Sequence, residues 1–238
     1  MNALRILGLD TSGRIASAAV YDTGQALLLG EHSVYTRRGH SQIILPLCER
    51  LLSDCSLTLQ DVDCYAVSVG PGSYTGLRIG IAAVQGLAMA QDTPCIGVST
   101  LEAMACRIAG ARNILAVMHA REDIFYAAWF SQGSDEPATG RRTPDALRTA
   151  AQIVQEAAEL SGDILVVGDG TEEFLRQYGA MEDPGRLCLR PAPPILRLQS
   201  AAGVCEWAAG YVQTQDALPH AADLTASYLQ KVNITKKG

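Results

Sequence analysis

The spacing of apolar residues predicts three short strands at the start of the chain, followed by helices that alternate with strands. The turn Asp22-Thr23-Gly24 is typical of a hairpin between the second strand and the third. The predicted elements are strands over residues 4–9, 15–21, 26–32, 64–69 and 95–98, and helices over residues 41–55, 75–91 and 101–108. Three hairpin-connected strands followed by right-handed crossovers make a mixed five-stranded sheet with helices on its faces.

The second half of the chain repeats this order in a weaker form. Its predicted elements are strands over residues 113–118, 124–130 and 164–167, and helices over residues 144–160, 171–178 and 199–213. We therefore predict an α/β protein of the actin-like or ribonuclease-H-like (ASKHA) class, with two related subdomains that each hold a mixed sheet flanked by helices. The first subdomain is placed at residues 1–108 and a smaller, more divergent one at residues 109–238, whose last helix can pack back on the first.

Composition favours a globular protein of the cytoplasm. Hydrophobic residues make up 48% of the chain and charged residues 18%. No run of 18 apolar residues is present, and the first residues enter a strand pattern without a signal sequence, so no membrane contact is expected. The seven cysteines form no Cys-x-x-Cys pair and have no histidine at ligand spacing, which predicts reduced thiols and no structural zinc.

The distribution of charge limits the chemistry further. The net charge of −6 argues against nucleic-acid binding by most of the surface. Lysine occurs only at Lys231, Lys236 and Lys237, so no lysine outside this tail is available to bind phosphate. The tail is either a solubilising end or a small basic contact site.

Asp10 ends the first predicted strand and begins the sequence Asp10-Thr11-Ser12. Actin-like ATPases and sugar kinases hold the metal and phosphates of ATP at this place, and ribonuclease-H-type nucleases place a metal-binding aspartate there. A two-metal nuclease site needs a further carboxylate after the fourth strand, where this chain has Gly70. Two interpretations remain: Asp10 binds nucleotide and metal, or it accepts hydrogen bonds from the backbone of its own turn.

The string GPGSYTGLRIG, residues 70–80, joins the fourth strand to a helix, where backbone amides attract anions. It lacks the Gly-Lys-Ser/Thr of a Walker A loop, and its glycines do not match the dinucleotide fingerprint. The glycines therefore indicate a tight turn and close helix packing. A second glycine turn, Gly168-Asp169-Gly170, is either an ordinary turn or a relic of a phosphate site.

The histidines suggest no catalytic site. They lie at His32, His40, His119 and His220, without the spacing of a catalytic dyad or triad. We expect each of them to be structural or at the surface.

The first two helices carry more apolar residues than one buried face needs. Helix 41–55 has two apolar stripes, and helix 75–91 is apolar nearly all round. A surplus apolar face is typical of a protein interface, with cover by the second subdomain as the alternative. The residues predicted at this interface are Ile43, Ile44, Leu47, Leu51, Tyr74, Leu77, Arg78, Ile81, Gln85 and Met89.

The first hundred residues resemble the bacterial TsaB (YeaZ) family, which takes part in making threonylcarbamoyladenosine in tRNA. The matching segments, in the family's order and at its spacing, are LDTS (9–12), HSQIILP (40–46), AVSVGPGSYTGLRIG (66–80), QGLAMA (85–90) and IGVSTLEAMA (96–105). The second half keeps Arg121 and Tyr126 of the family pattern. It departs from that pattern at His119 and Ile124, which replace acids, and at Gln230.

The resemblance implies an actin-like fold without a working nucleotide site, and hence no catalytic residue, cofactor or metal. Vestiges of the site would be Asp10, Thr11, Ser12, Gly168 and Gly170. It implies a scaffold that binds and activates a catalytic TsaD-like paralogue beside a TsaE-like ATPase, with tRNA touched at most indirectly. The same surface would allow a homodimer when the chain is alone. The alternative is an active actin-like ATPase or small-molecule kinase that uses Asp10 and the Gly168 turn.

Overall fold

Two mixed sheets flanked by helices make up the part of the chain that the structure describes. The structure is a computed structural model, and it describes residues 3–36, 39–131, 140–158, 160–182 and 187–229. Gln230 and the lysines Lys231, Lys236 and Lys237 lie outside the described residues.

The first sheet is the mixed five-stranded sheet that the sequence predicts. Its strands are β1 (Arg5–Asp10), β2 (Ile15–Asp22), β3 (Leu27–Tyr35), β4 (Cys64–Gly70) and β5 (Cys95–Ser99). They lie in the order β3-β2-β1-β4-β5, with β2 antiparallel to both neighbours and β1, β4 and β5 parallel. This is the ribonuclease-H-like and actin-like arrangement, so the predicted fold class is confirmed.

The second sheet is built from the other half of the chain. Its strands are β6 (Asn113–Arg121), β7 (Ile124–Ser131), β8 (Gly140–Arg141), β9 (Ala146–Thr149), β10 (Asp163–Val167) and β11 (Cys188–Pro191). They lie in the order β11-β10-β6-β7-β8, and β9 pairs with β7. The α-helices are α1 (His40–Asp54), α2 (Tyr74–Met89), α3 (Thr100–Cys106), α4 (Ala150–Ala157), α5 (Thr171–Gly179) and α6 (Ala201–Thr214). None of the helices in the described ranges is long and apolar enough to cross a membrane.

The first sheet is covered on both faces, which explains its apolar strands. On one face, α1 and α2 pack over side chains such as Leu7 and Val20. On the other face, α6 packs so closely on β1 that a Cβ on Gly8 would lie 2.5 Å from the Cys205 sulfur. The chain thus returns to the first sheet after it has built the second.

The predicted helix over residues 144–160 is wrong in its first third. Residues Ala146–Thr149 form β9, which pairs with β7, and the Arg148 guanidinium donates to the Ala127 carbonyl at 2.6 Å. The helix begins only at Ala150, because the Thr149 hydroxyl accepts from the Gln152 amide and caps it. Free strand edges on β7 and β10 also recruit β8 and β11, two short strands that the hydrophobic pattern does not reveal.

Candidate functional site

A cleft of about 650 Å³ lies between the two halves, where the ends of β1, β4 and β6 meet the starts of α1 and α2. Ser12 and Asp169 line it, whereas Asp10 and Thr11 are buried and do not. The other lining residues are Gly13, Arg14, Thr36, Gly39, His40, Ser41, Gly72, Ser73, Thr75, Gly76, Ile79, Met118, His119, Ala120 and Tyr126. The two predicted glycine turns therefore lie near one another at the cleft. The Asp10 carboxylate, however, is buried and does not face the cleft.

The Asp10 side chain is occupied by its own neighbours. Its Oδ1 accepts hydrogen bonds from the Ser12 amide at 2.9 Å and the Ser12 hydroxyl at 2.7 Å, and its Oδ2 accepts from the Ser68 hydroxyl at 2.5 Å. The residue is only 1% exposed. Burial raises the pKa of this carboxyl, and the bonds from Ser68 and Ser12 oppose that effect in part. The geometry matches the interpretation in which Asp10 stabilises its own turn.

The raised pKa of Asp10 predicts a measurable effect of pH on stability. The folded state binds the Asp10 proton more tightly than the unfolded chain does. The resulting gain in the free energy of unfolding is therefore complete below the unfolded pKa of about 4. It is lost as the pH rises through the folded pKa. An Asp10→Asn variant keeps an acceptor for Ser12 and a polar partner for Ser68 without the buried charge. We expect its free energy of unfolding to rise relative to the wild type between about pH 4 and pH 7, as measured by urea denaturation.

Asp10→Ala is the control for this prediction. It removes the acceptor for Ser12 and Ser68 and should cost about 1–3 kcal/mol, because buried hydroxyls are left unpaired. If the wild type and Asp10→Asn show parallel pH profiles, the buried carboxylate does not titrate as inferred.

The glycines of the GPGSYTGLRIG string bring α2 directly onto the turn after β1. A Cβ on Gly76 would overlap the Thr11 carbonyl, and one on Gly72 would overlap the Ser12 carbonyl. The Thr11 hydroxyl donates to the Gly76 carbonyl at 2.7 Å, and the Ser73 amide donates to the Ser12 carbonyl at 2.7 Å. Close packing of a helix on a turn, as predicted, is what these glycines permit.

The second glycine turn packs in the same manner against the second sheet. A Cβ on Gly168 would overlap the Val117 backbone, and one on Gly170 would lie 2.8 Å from the backbone nitrogen of His119. The Thr171 hydroxyl donates to the Gly168 carbonyl at 2.7 Å. Burial raises the pKa of Asp169, whose Oδ1 has no hydrogen-bond partner among the described residues. The contacts are those of a structural turn with one polar group facing the cleft.

The histidines are spread over the molecule. His40 and His119 line the cleft, His32 lies 3.4 Å from the Asp54 carboxylate, and His220 lies 3.8 Å from that of Asp92. Within the described ranges no group of three or more histidine, cysteine or acidic side chains is placed to hold a metal ion.

The burial of four residues on α1 and α2 corrects part of the interface prediction. Ile44, Leu51, Leu77 and Ile81 are buried in the core of the isolated chain, because they are the stripe that covers the sheet. Ile43 and Leu47 are half-buried, whereas Tyr74, Arg78 and Met89 are exposed. Four buried residues therefore cannot supply contact surface to a partner.

Residues outside the predicted interface set complete this outer face. Leu45 is 46% exposed and borders an apolar groove of about 730 Å³. The other groove residues are Pro46, Cys48, Glu49, Leu52, Ser53, Ser56, Leu57, Thr58, Leu59 and Leu87. On α2 the exposed stripe holds Ala82 and Gly86, where an added Cβ on Gly86 would meet nothing within 4 Å. We call Leu45, Ala82, Gly86, Met89 and the groove the docking face.

Residues 218–229, the C-terminal strap, run across α2 at the edge of this face. The Gln85 side chain donates to the Ala221 carbonyl at 3.0 Å, and the Ser227 amide donates to the Val69 carbonyl at 2.7 Å. Leu224 inserts into the core between α2 and the sheet. The strap lacks the periodicity of a helix or a strand, so only its isolated apolar residues could have indicated that it packs.

Comparison with known proteins decides the family. A family model described as "TsaD: tRNA N6-adenosine threonylcarbamoyltransferase" matches residues 32–163. The chain is 37% identical to "tRNA threonylcarbamoyladenosine biosynthesis protein TsaB" of Escherichia coli (strain K12), over 81% of this chain and 84% of that protein. The chain belongs to the TsaB (YeaZ) family. The Haemophilus influenzae protein of the same description is 38% identical over 56% of this chain and 55% of its own length.

A solved structure agrees with the family assignment. "YeaZ from Pseudomonas aeruginosa" superposes with a TM-score of 0.78 at 28% identity, over 95% of this chain and all of that one. This TsaB-family chain therefore shares its fold with YeaZ across both sheets.

Proposed function

We propose that this chain is a non-catalytic scaffold and activator in the complex that forms N6-threonylcarbamoyladenosine in tRNA. It binds the catalytic TsaD-like paralogue through the docking face and joins a TsaE-like ATPase in the same cytoplasmic assembly. It contacts tRNA at most indirectly, and in isolation it pairs with itself through the same face. The family assignment supports the pathway, since curated relatives carry the description of threonylcarbamoyladenosine biosynthesis proteins.

The observation that carries the scaffold role is the docking face. Met89 is 80% exposed on α2, and Leu45 is 46% exposed on α1, where it borders an apolar groove of about 730 Å³. Exposed apolar side chains on neighbouring helices, together with small residues that let another helix approach, are typical of protein interfaces. Cover by the second subdomain, the alternative raised by the sequence, does not account for Met89 and Leu45, because both remain exposed in the described chain.

The cleft supports a role without ATP chemistry. Both oxygens of the Asp10 carboxylate are engaged by Ser12 and Ser68, and the residue has almost no solvent contact. A metal–phosphate complex would have to break these bonds before the carboxylate could take part. The other vestigial residues, Thr11, Gly168 and Gly170, are buried in backbone packing.

Binding of ATP to the isolated chain separates the scaffold from the alternative of an active actin-like ATPase or kinase. We expect calorimetry to detect no magnesium-dependent ATP binding at ATP concentrations up to about 1 mM. A dissociation constant of about 1 mM corresponds to a binding free energy of only about −4 kcal/mol. Micromolar, magnesium-dependent binding that Asp10→Asn abolishes would establish the ATPase or kinase instead.

A further inference from the structure

Arg78 on α2 is held in one orientation by two tyrosines. Its guanidinium carbon lies 4.1 Å from the centre of the Tyr74 ring, and its Nε donates to the Tyr228 hydroxyl at 3.0 Å. The two rings lie 4.9 Å apart, and Tyr228 belongs to the C-terminal strap. We call Tyr74, Arg78 and Tyr228 the arginine clamp. It fixes a side chain that would otherwise sample many rotamers.

The fixed guanidinium has no acidic partner. Among the described residues no carboxylate lies within 4.0 Å of Arg78, whereas Arg141 and Arg148, for example, each face one. The Nε bond to Tyr228 leaves the terminal nitrogens of an exposed side chain without an acceptor within the described chain. Arginine's planar fork suits a two-point contact with a carboxylate.

The position of Arg78 on α2 adds nothing to the stability of the helix. It lies in the second turn, close to the positive end of the helix dipole, and the first turn contains no acidic residue. A cation there does not stabilise the helix, so its ordered placement is not explained by the stability of α2. The clamp lies one turn before Ala82 on the exposed side of α2, and it is therefore continuous with the docking face.

We propose that the arginine clamp receives a carboxylate side chain of the protein that docks on α1 and α2, and that it sets the register of the complex. This inference rests on the proposed function. The partner contributes an acidic residue at the edge of an otherwise apolar contact, where loss of water strengthens the charge-assisted pair. A phosphate of nucleic acid fits less well, because the chain carries a net charge of −6 and the neighbouring surface is apolar.

The test measures the dissociation constant for the TsaD-like partner of the same organism, at several salt concentrations. We expect Arg78→Gln to weaken binding about tenfold, as loss of one hydrogen bond to a charged group does. It should also flatten the dependence of affinity on salt. Arg78→Lys should not restore binding, because lysine cannot form the two-point contact. Tyr228→Phe, which keeps the ring and removes the hydroxyl, should weaken binding by a smaller factor.

The controls separate this inference from the docking proposal on which it rests. If Gly86→Arg abolishes binding while Arg78→Gln and Tyr228→Phe bind like the wild type, the docking face stands and the clamp proposal is wrong. If none of these variants loses affinity, both proposals fail. If Arg78→Gln leaves the affinity for the protein unchanged but weakens binding of tRNA, the clamp holds a phosphate and the proposed carboxylate is refuted.

Discussion

Gly86→Arg should nearly abolish binding of the TsaD-like partner and leave the fold of this chain intact. Gly86 lies on the exposed stripe of α2 between Ala82 and Met89, and a Cβ added there meets nothing within 4 Å. The long charged side chain would therefore stand out from the docking face and separate the two proteins. Because an interface core tolerates neither gaps nor unpaired charge, we expect affinity to fall by about 100-fold or more. The measurement is calorimetry with the purified partner.

A matched substitution on the opposite side of the molecule is the control. Gly210 lies inside α6, and a Cβ there also meets nothing within 4 Å. Gly210→Arg makes the same chemical change in a helix that packs on the other face of the first sheet, so affinity should stay at the wild-type value. Equal losses for Gly86→Arg and Gly210→Arg would mean that a general charge effect, and not the docking face, controls binding.

Gly76→Ala and Gly86→Ala, two identical substitutions in one helix, should change stability in opposite directions. A Cβ on Gly76 would overlap the Thr11 carbonyl, so α2 must move away from the turn after β1. Forcing atoms into such a packed contact typically costs about 1–3 kcal/mol. Gly86→Ala meets open space and should gain about 0.5–1 kcal/mol, since alanine favours a helix over glycine.

Chemical denaturation checks both stability changes in one experiment. The wild type should lie between the two variants in its denaturation midpoint. A Gly76→Ala variant as stable as the wild type would contradict the close contact between α2 and the Asp10-Thr11-Ser12 turn.

The sequence predicts the first sheet well because its elements are long, apolar and separated by strong turn signals. The hairpin at Asp22 indicates that β2 and β3 are neighbours, and the glycine turn at Gly70 marks the end of β4. The error over residues 144–160 has a different origin. The segment Ala146–Thr149 starts with Ala, Leu and Arg, which favour a helix, and its strand exists because the β7 edge offers hydrogen bonds.

The candidate site is less visible in the sequence for the same reason. The sequence places Asp10 at a turn and leaves two roles open for it, because the hydroxyl of Ser68 that occupies its second oxygen is 58 positions away. The two apolar stripes of α1 are evident, yet which stripe faces the sheet depends on the crossing of the helix over β2. The partnership of Arg78 with Tyr228 joins residues 150 positions apart, and no local pattern reveals it.

The measurement that tests the scaffold role most directly is formation of threonylcarbamoyladenosine on tRNA by purified TsaD-like and TsaE-like proteins. Omitting this chain should remove the activity, Gly86→Arg should remove it as well, and Asp10→Asn should support the full wild-type rate. A chain that works by docking needs its outer helices and not its buried carboxylate. If Asp10→Asn forms the complex normally but abolishes tRNA modification, the chain carries out chemistry of its own and the account is contradicted.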